Sequence, residues 1–143
     1  MKIPFLRLDA ALPAPRHVHE GDGGVDLRAR EMVTLEPGGR RLVPTGVAVA
    51  IPSGFAGLVL PRSGLALRRG VTVLNAPGLV DSGYRGEVGV ILVNLGGEAV
   101  VIERGERIAQ LVVVGVEDQE FVAVEELPTS ARGDAGFGST GSA

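Results

Sequence analysis

Short runs of apolar residues, punctuated by turn-forming pairs, dominate the chain. Residues 3–8, 25–29, 32–35, 41–51, 55–60, 88–95, 99–102, 107–114 and 121–124 each read as a strand. Glu36-Pro37-Gly38-Gly39, Pro52-Ser53-Gly54, Gly96-Gly97 and Arg104-Gly105-Glu106 supply turns between them. A single helix-compatible segment interrupts this rhythm, starting at Ser63, and no extended helical periodicity occurs elsewhere. The pattern therefore predicts an all-β, antiparallel fold. Residues 88–95 are apolar at successive positions, which predicts burial of both faces of that strand, one of them at a subunit interface.

Composition supports this class. The 143 residues include 22 glycines and 9 prolines but no tryptophan and one tyrosine, as expected of many short strands and turns. The length fits one domain with a core large enough to need neither disulfide nor structural metal. With no cysteine, the chain needs no oxidising compartment. No apolar stretch approaches the roughly 20 residues that span a bilayer, and the first residues lack a secretory pattern, so no membrane association and a cytoplasmic location are expected. A formal charge of −3 argues against binding to nucleic acid backbones, which needs a clustered cationic surface, but leaves room for a nucleotide in a local pocket.

Candidate chemistry gathers in a few stretches. Residues 73–87 place Asn75, Asp81 and Tyr84 around two turn signals, Pro77-Gly78 and Ser82-Gly83. If Ser82-Gly83 is a two-residue hairpin turn, Asp81 and Tyr84 are cross-strand partners and share a face. Asp26 interrupts an apolar strand, where an acid is disfavoured unless it pairs with Arg28 or Arg62 or holds waters of a hard cation. Arg62-Ser63-Gly64 offers a guanidinium, a hydroxyl and free N–H groups where a helix starts, a combination suited to phosphate, although a Ser N-cap beside a surface Arg has the same signature. Gln110 is a neutral polar group within an apolar strand and must find backbone or ligand partners. His17 and His19 lie in a loop with no further His or Cys to complete a soft-ligand metal site, so the loop reads as solvated. From Pro128 onward the chain is too polar to fold alone. It nonetheless carries Phe137 and a Gly138-Ser139-Thr140-Gly141 run suited to stacking on a flat ring and surrounding phosphate oxygens.

Five of these stretches, in order, resemble the five motifs of the trimeric deoxyuridine triphosphate nucleotidohydrolase (dUTPase) family. They are Gly24-Val25-Asp26-Leu27-Arg28-Ala29, Pro61-Arg62-Ser63-Gly64-Leu65-Ala66, Gly78-Leu79-Val80-Asp81-Ser82-Gly83-Tyr84-Arg85-Gly86, Gly105-Glu106-Arg107-Ile108-Ala109-Gln110-Leu111, and the run from Arg132 to Gly141. The resemblance implies a jelly-roll-like antiparallel β-barrel of the β-clip type over residues 1–127, with a flexible C-terminal arm at 128–143. It also implies a homotrimer whose shared sites hydrolyse dUTP to dUMP and pyrophosphate with Mg2+. Carried onto this chain, Asp81 is the general base that activates water, Tyr84 lies under the deoxyribose, and Asn75 reads uracil. Arg62, Ser63, Gly64 and Gln110 hold the phosphate chain. Arg132, Gly138, Ser139 and Thr140 close on the γ-phosphate, Phe137 stacks over uracil, and Asp26 meets the metal through water.

Deoxycytidine triphosphate deaminase is a rival of similar fold. It would need a glutamate for amine chemistry; Glu87 is the nearest candidate and reads as framework. Arg132-Gly133-Asp134 as an adhesion ligand is a weak tripeptide signal. Reach supports the shared site: residues 128–143 extend about 50 Å at ~3.3 Å per residue, against a radius of gyration of about 14 Å for a body this size. Removing the residues after Pro128 is therefore expected to leave a folded assembly with severely reduced dUTP turnover. Full activity in that truncation, measured by pyrophosphate release, would exclude a lid role.

Overall fold

The computed structural model describes residues 1–131, 133 and 134. The expectations for Arg132, Phe137, Gly138, Ser139 and Thr140 lie outside the described residues. The elements in chain order are β1 (Phe5–Arg7), β2 (Val25–Arg28), β3 (Val33–Leu35), β4 (Arg40–Val49), β5 (Phe55–Pro61), α1 (Ser63–Arg69), β6 (Val71–Val73), β7 (Gly78–Val80), β8 (Glu87–Asn94), β9 (Val100–Ile102) and β10 (Arg107–Gly115). One four-stranded sheet runs β1-β4-β8-β6 and another β2-β10-β5-β7, with β3 and β9 as a separate pair. Every pairing is antiparallel, as the strand and turn pattern predicts.

The core forms where these sheets face each other. Val43 and Val49 of β4, Val88, Val90 and Leu92 of β8, Leu27 of β2, Val59 of β5 and Ile108 and Leu111 of β10 form one buried cluster. Each such side chain contributes about 1.5–3 kcal/mol through removal from water. In β8 the core face is buried as predicted, but Gly89 on the other face is exposed and Ile91 only partly covered. Leu42 of β4 lies against Gly89 yet is itself exposed. An apolar strip thus remains open on a single chain.

Two expectations need correction. Residues 121–124 form no strand, and Phe121 is 94% exposed; a β-prone run becomes a strand only by pairing, and within the chain this one meets no edge. Ser82-Gly83 does form a turn, closed by the Tyr84 N–H donating to the Asp81 carbonyl at 3.0 Å, but it is not a hairpin. β7 pairs with β5, whereas β8 pairs with β4 and β6. Val80 and Val88 are both buried, on strands belonging to opposite sheets, so the chain between them crosses from one sheet to the other.

Asn94 and Thr45 are the buried polar side chains of the described core. Asn94 donates through Nδ2 to the carbonyls of Leu35 at 2.9 Å and Glu98 at 2.7 Å, and its Oδ1 accepts the Gly96 N–H at 2.8 Å. It ties the end of β8 to β3 and to the β8–β9 turn. Replacing Asn94 by Ala strands those backbone groups and should cost about 1–3 kcal/mol. Urea unfolding at fixed protein concentration should show a lower midpoint with unchanged slope; an unchanged midpoint would contradict the assignment.

Candidate active site

One group of candidate residues assembles where β2, β10 and β5 lie side by side. Gln110 stands opposite Asp26 on one flank and Leu60 on the other, so three separated stretches of sequence meet. Its Nε2 donates to the Pro61 carbonyl at 3.1 Å, the last residue of β5 before Arg62. The Gln110 side chain thereby fixes the point at which strand gives way to helix.

Asp26 is held between two guanidinium groups. Its Oδ1 lies 3.0 Å from Arg62 Nε and its Oδ2 3.2 Å from Arg107 Nη1. Arg28, the other partner considered, donates instead to the Gly105 carbonyl at 2.7 Å. The pairing explains how a carboxylate is tolerated in a half-buried strand, and it orients Arg62. Arg62 itself occupies the N-cap position of α1, and no side chain caps the helix. Ser63 is therefore the first helical residue rather than a cap, and the N–H groups of Ser63 and Gly64 have no intrahelical acceptor.

Sequence reasoning passed over two neighbours. Arg107 was visible inside its motif, but its role required knowing that β10 pairs with β2. Arg68 stands four residues after Gly64, a spacing that places both on one helix face; a Cβ on Gly64 would lie 3.0 Å from Arg68 Nη2. Arg62, Gly64, Arg68, Arg69, Glu106 and Arg107 line a cleft of about 230 Å³. Glu106 pairs with Arg69 and Asp26 with Arg62 and Arg107, which leaves the cleft with surplus positive charge suited to an anion.

A second group surrounds the turn after β7. Asp81 is exposed and takes part in none of the ion pairs among the described residues. Tyr84 is 45% exposed, and its Oη donates to the Glu87 carbonyl at 2.9 Å. The ring folds back over Gly86, where a Cβ would come within 2.7 Å of Tyr84 Cζ; only glycine permits that approach. Asp81, Tyr84, Leu79, Val80, Val88 and Gly89 line a cavity of about 170 Å³. Asn75 precedes β7 with its Nδ2 3.2 Å from the position a Gly78 Cβ would take. A solvated carboxylate and an aromatic ring thus share the cavity after β7, while the carboxamide of Asn75 lies at the other end of that strand, beside Gly78.

The two groups do not meet within one chain. Val80 pairs with Gly57 near the start of β5, whereas Arg62 follows the end of that strand. At roughly 3.3 Å per residue, Asp81 and Arg62 are about 20 Å apart along the strand direction.

Elsewhere, the His17–His19 loop is organised by Asp22, whose Oδ2 accepts the N–H groups of His19 at 2.7 Å and Val18 at 3.1 Å. The hydrogen bond from the His19 backbone is the main reason its carboxyl sits below the ordinary value. A cleft of about 450 Å³ opens between β1 and β2 and is lined mainly by apolar side chains such as Phe5, Val47 and Val113. No helix of the described residues is long and apolar enough to cross a membrane.

Comparison with known proteins bears on the same stretches. The dUTPase family model matches residues 10–141. A deoxyuridine 5'-triphosphate nucleotidohydrolase of Anaeromyxobacter sp. is 60% identical over 130 residues, covering 91% of this chain and 88% of that protein. Among solved structures, a mutant dUTPase of Staphylococcus bacteriophage 80alpha with dUpNHpp superposes with a TM-score of 0.91 at 31% identity, covering 99% of each chain. A mutant dUTPase from phage phi11 of S. aureus, described for its coordination of a structural Mg(II) ion, gives a TM-score of 0.81 at 28% identity over 88% of this chain and 98% of that one. With the family match spanning nearly the whole length and all five motif stretches, the chain belongs to the dUTPase family.

Proposed function

We propose that this enzyme hydrolyses dUTP to dUMP and pyrophosphate in sites completed between the copies of a homotrimer. The carrying observation is the separation of about 20 Å between Asp81 and Arg62, together with the pairing that enforces it. A base acting at the α-phosphorus and a guanidinium holding the adjoining phosphates must lie within a few ångströms of one triphosphate. One chain cannot supply both to the same nucleotide, but neighbouring chains can. The apolar strip around Leu42 and Ile91, open on a single chain, is consistent with further association.

In this reading, one chain brings Asp81, Tyr84 and Asn75. Asp81 accepts the proton of the water that attacks the α-phosphorus, Tyr84 stands beneath the deoxyribose where a 2′-hydroxyl would collide, and Asn75 reads the uracil edge. A second chain brings the cationic cleft, in which Arg62, Ser63, Gly64 and Gln110 hold the phosphates. The arm, with Arg132, Gly138, Ser139 and Thr140 at the γ-phosphate and Phe137 over uracil, closes the site. Because phosphoryl chemistry gives the protein little covalent work, alignment and charge neutralisation carry most of the rate.

Mg2+ fits this arrangement through water. Among the described residues no group of three or more His, Cys, Asp or Glu side chains could hold a metal ion, and both oxygens of Asp26 already face guanidinium groups. Mg2+ keeps several waters and takes phosphate oxygens readily, so in this reading the triphosphate would hold the ion and Asp26, shared with Arg62 and Arg107, would touch only its water shell. When bound, the ion neutralises charge on the triphosphate.

Replacing Asp81 by Asn should lower pyrophosphate release from dUTP on the order of 10²–10⁴-fold, the usual contribution of a positioned base, with oligomer mass unchanged. Loss of less than that range would remove Asp81 from the role. The shared site makes a separate prediction. Asp81→Asn and Arg62→Ala chains, each nearly inactive alone, should recover about a quarter of wild-type activity when unfolded and reassembled together at equal ratio, because random mixing pairs intact halves at that frequency in a head-to-tail ring. Mixtures no more active than their components would mean that each chain carries a complete site.

A further inference from the structure

Glu87 has no place among the ligand-facing residues, yet the turn that carries Asp81 and Tyr84 is fastened to the barrel through it. β4 and β8 pair in step from Arg40 opposite Val93 to Pro44 opposite Gly89, and resume with Ala48 opposite Glu87. Between those points β4 holds Thr45, Gly46 and Val47 where β8 holds Val88 alone. Such a bulge turns backbone groups out of the ladder, and they need other partners. Gly46, at φ 73°, adopts a conformation that side chains resist, and its N–H donates to Glu87 Oε1 at 2.6 Å. The Thr45 hydroxyl donates to the Val88 carbonyl at 2.6 Å.

The other carboxylate oxygen faces a network of charge. Arg30 Nη1 reaches Glu87 Oε2 at 3.2 Å. Arg30 also donates to the Leu8 carbonyl at 3.2 Å and approaches Asp9, which Arg104 joins at 2.9 Å. Two distant stretches, at Gly46 and Arg30, therefore meet the carboxylate of Glu87 directly, and Leu8, Asp9 and Arg104 brace it at one remove through Arg30. The Glu87 backbone carbonyl, in turn, accepts the Tyr84 phenol. One residue is held by its side chain in the barrel and holds the aromatic ring by its main chain.

We infer that Glu87 is a positioning residue for Tyr84: its carboxylate, seated in the β4 bulge, fixes the start of β8 and with it the height and tilt of the ring. The contribution to discrimination between deoxyribose and ribose rests on the proposed role of Tyr84; the positioning itself does not. Hydrogen bonds to an ionised carboxylate are the stronger class and hold geometry accordingly. A glutamine here keeps an acceptor for Gly46 but turns an amide donor toward Arg30, so it should act as a partial substitute.

The chain has one tyrosine and no tryptophan, so its tyrosine emission reports on Tyr84 alone. In the full-length protein, Glu87→Ala should increase acrylamide quenching of that emission and reduce the dUTP-to-UTP ratio of kcat/KM on the order of tenfold, toward the ratio of Tyr84→Ala. Glu87→Gln should fall between Glu87→Ala and wild type in both measurements, and it carries the comparison if the alanine variant does not fold. Wild-type quenching in the folded Glu87 variants would overturn the inference, as would a wild-type ratio in them alongside a reduced ratio in Tyr84→Ala. Increased quenching with the ratio unchanged in every variant, Tyr84→Ala included, would support the positioning and instead refute Tyr84 as the sugar discriminator.

Discussion

The constraint on which the rest depends is the unbroken pairing of β5 with β10 on one side and β7 on the other. A strand hydrogen-bonded on both flanks can neither bend nor slip without exposing a row of backbone groups, so the distance between its ends is fixed. The chain uses one end to start the cationic helix turn at Arg62 and delivers the Asp81 turn to the other. On the proposed reading, a chain built this way carries both halves of the site without being able to join them. Under the proposed function, association between copies would serve the chemistry as well as cover apolar surface.

Electrostatics divide along the same line. At the phosphate end, Asp26 is enclosed by Arg62 and Arg107, so its charge is spent on orienting cations rather than repelling an incoming anion. Arg62 engages it through Nε, and its Nη1 makes a 3.3 Å hydrogen bond to the Arg107 carbonyl. At the opposite end, Asp81 faces solvent outside every described ion pair. The two acids, separated by the length of a strand, thus keep different company: one faces two guanidinium groups and the other faces solvent.

Much of this was legible in the sequence, for identifiable reasons. Turn pairs and apolar runs located most of the strands within a few residues, because both signals are local. The interruption of an apolar strand by Asp26 left open pairing with Arg28 or Arg62 and holding the waters of a cation, and the structure shows the Arg62 pair. What could not be read was which strand pairs with which. Asp81 and Tyr84 looked like hairpin partners because the Ser82-Gly83 turn is local information, while the assignment of β7 and β8 to different sheets depends on contacts with β5 and β4 far along the chain. Residues 121–124 failed for the same reason, since β propensity does not provide an edge. Arg107 and Arg68 look like charged residues of the kind that face water, and Glu87 reads only as framework; pairing register and the β4 bulge show what Arg107 and Glu87 touch.

The distribution of residues between chains also follows from what must be aligned most closely. An interface between copies positions its two sides less tightly than a covalent turn braced by hydrogen bonds does. The proposed site accordingly keeps on one chain the groups with the least tolerance: the base that directs water, and the platform and carboxamide that fix the nucleoside. Asp81 and Tyr84 share a turn closed by their own backbone, and Tyr84 is tied to Glu87 at the start of β8, which is fastened in turn to Gly46 of β4. The second chain supplies guanidinium groups and N–H donors to a flexible, highly charged phosphate chain, for which long-range attraction compensates for small displacements. A shared site assembled in this way loses little precision where the bond is broken, because the reacting phosphorus is positioned by the nucleoside that the first chain holds.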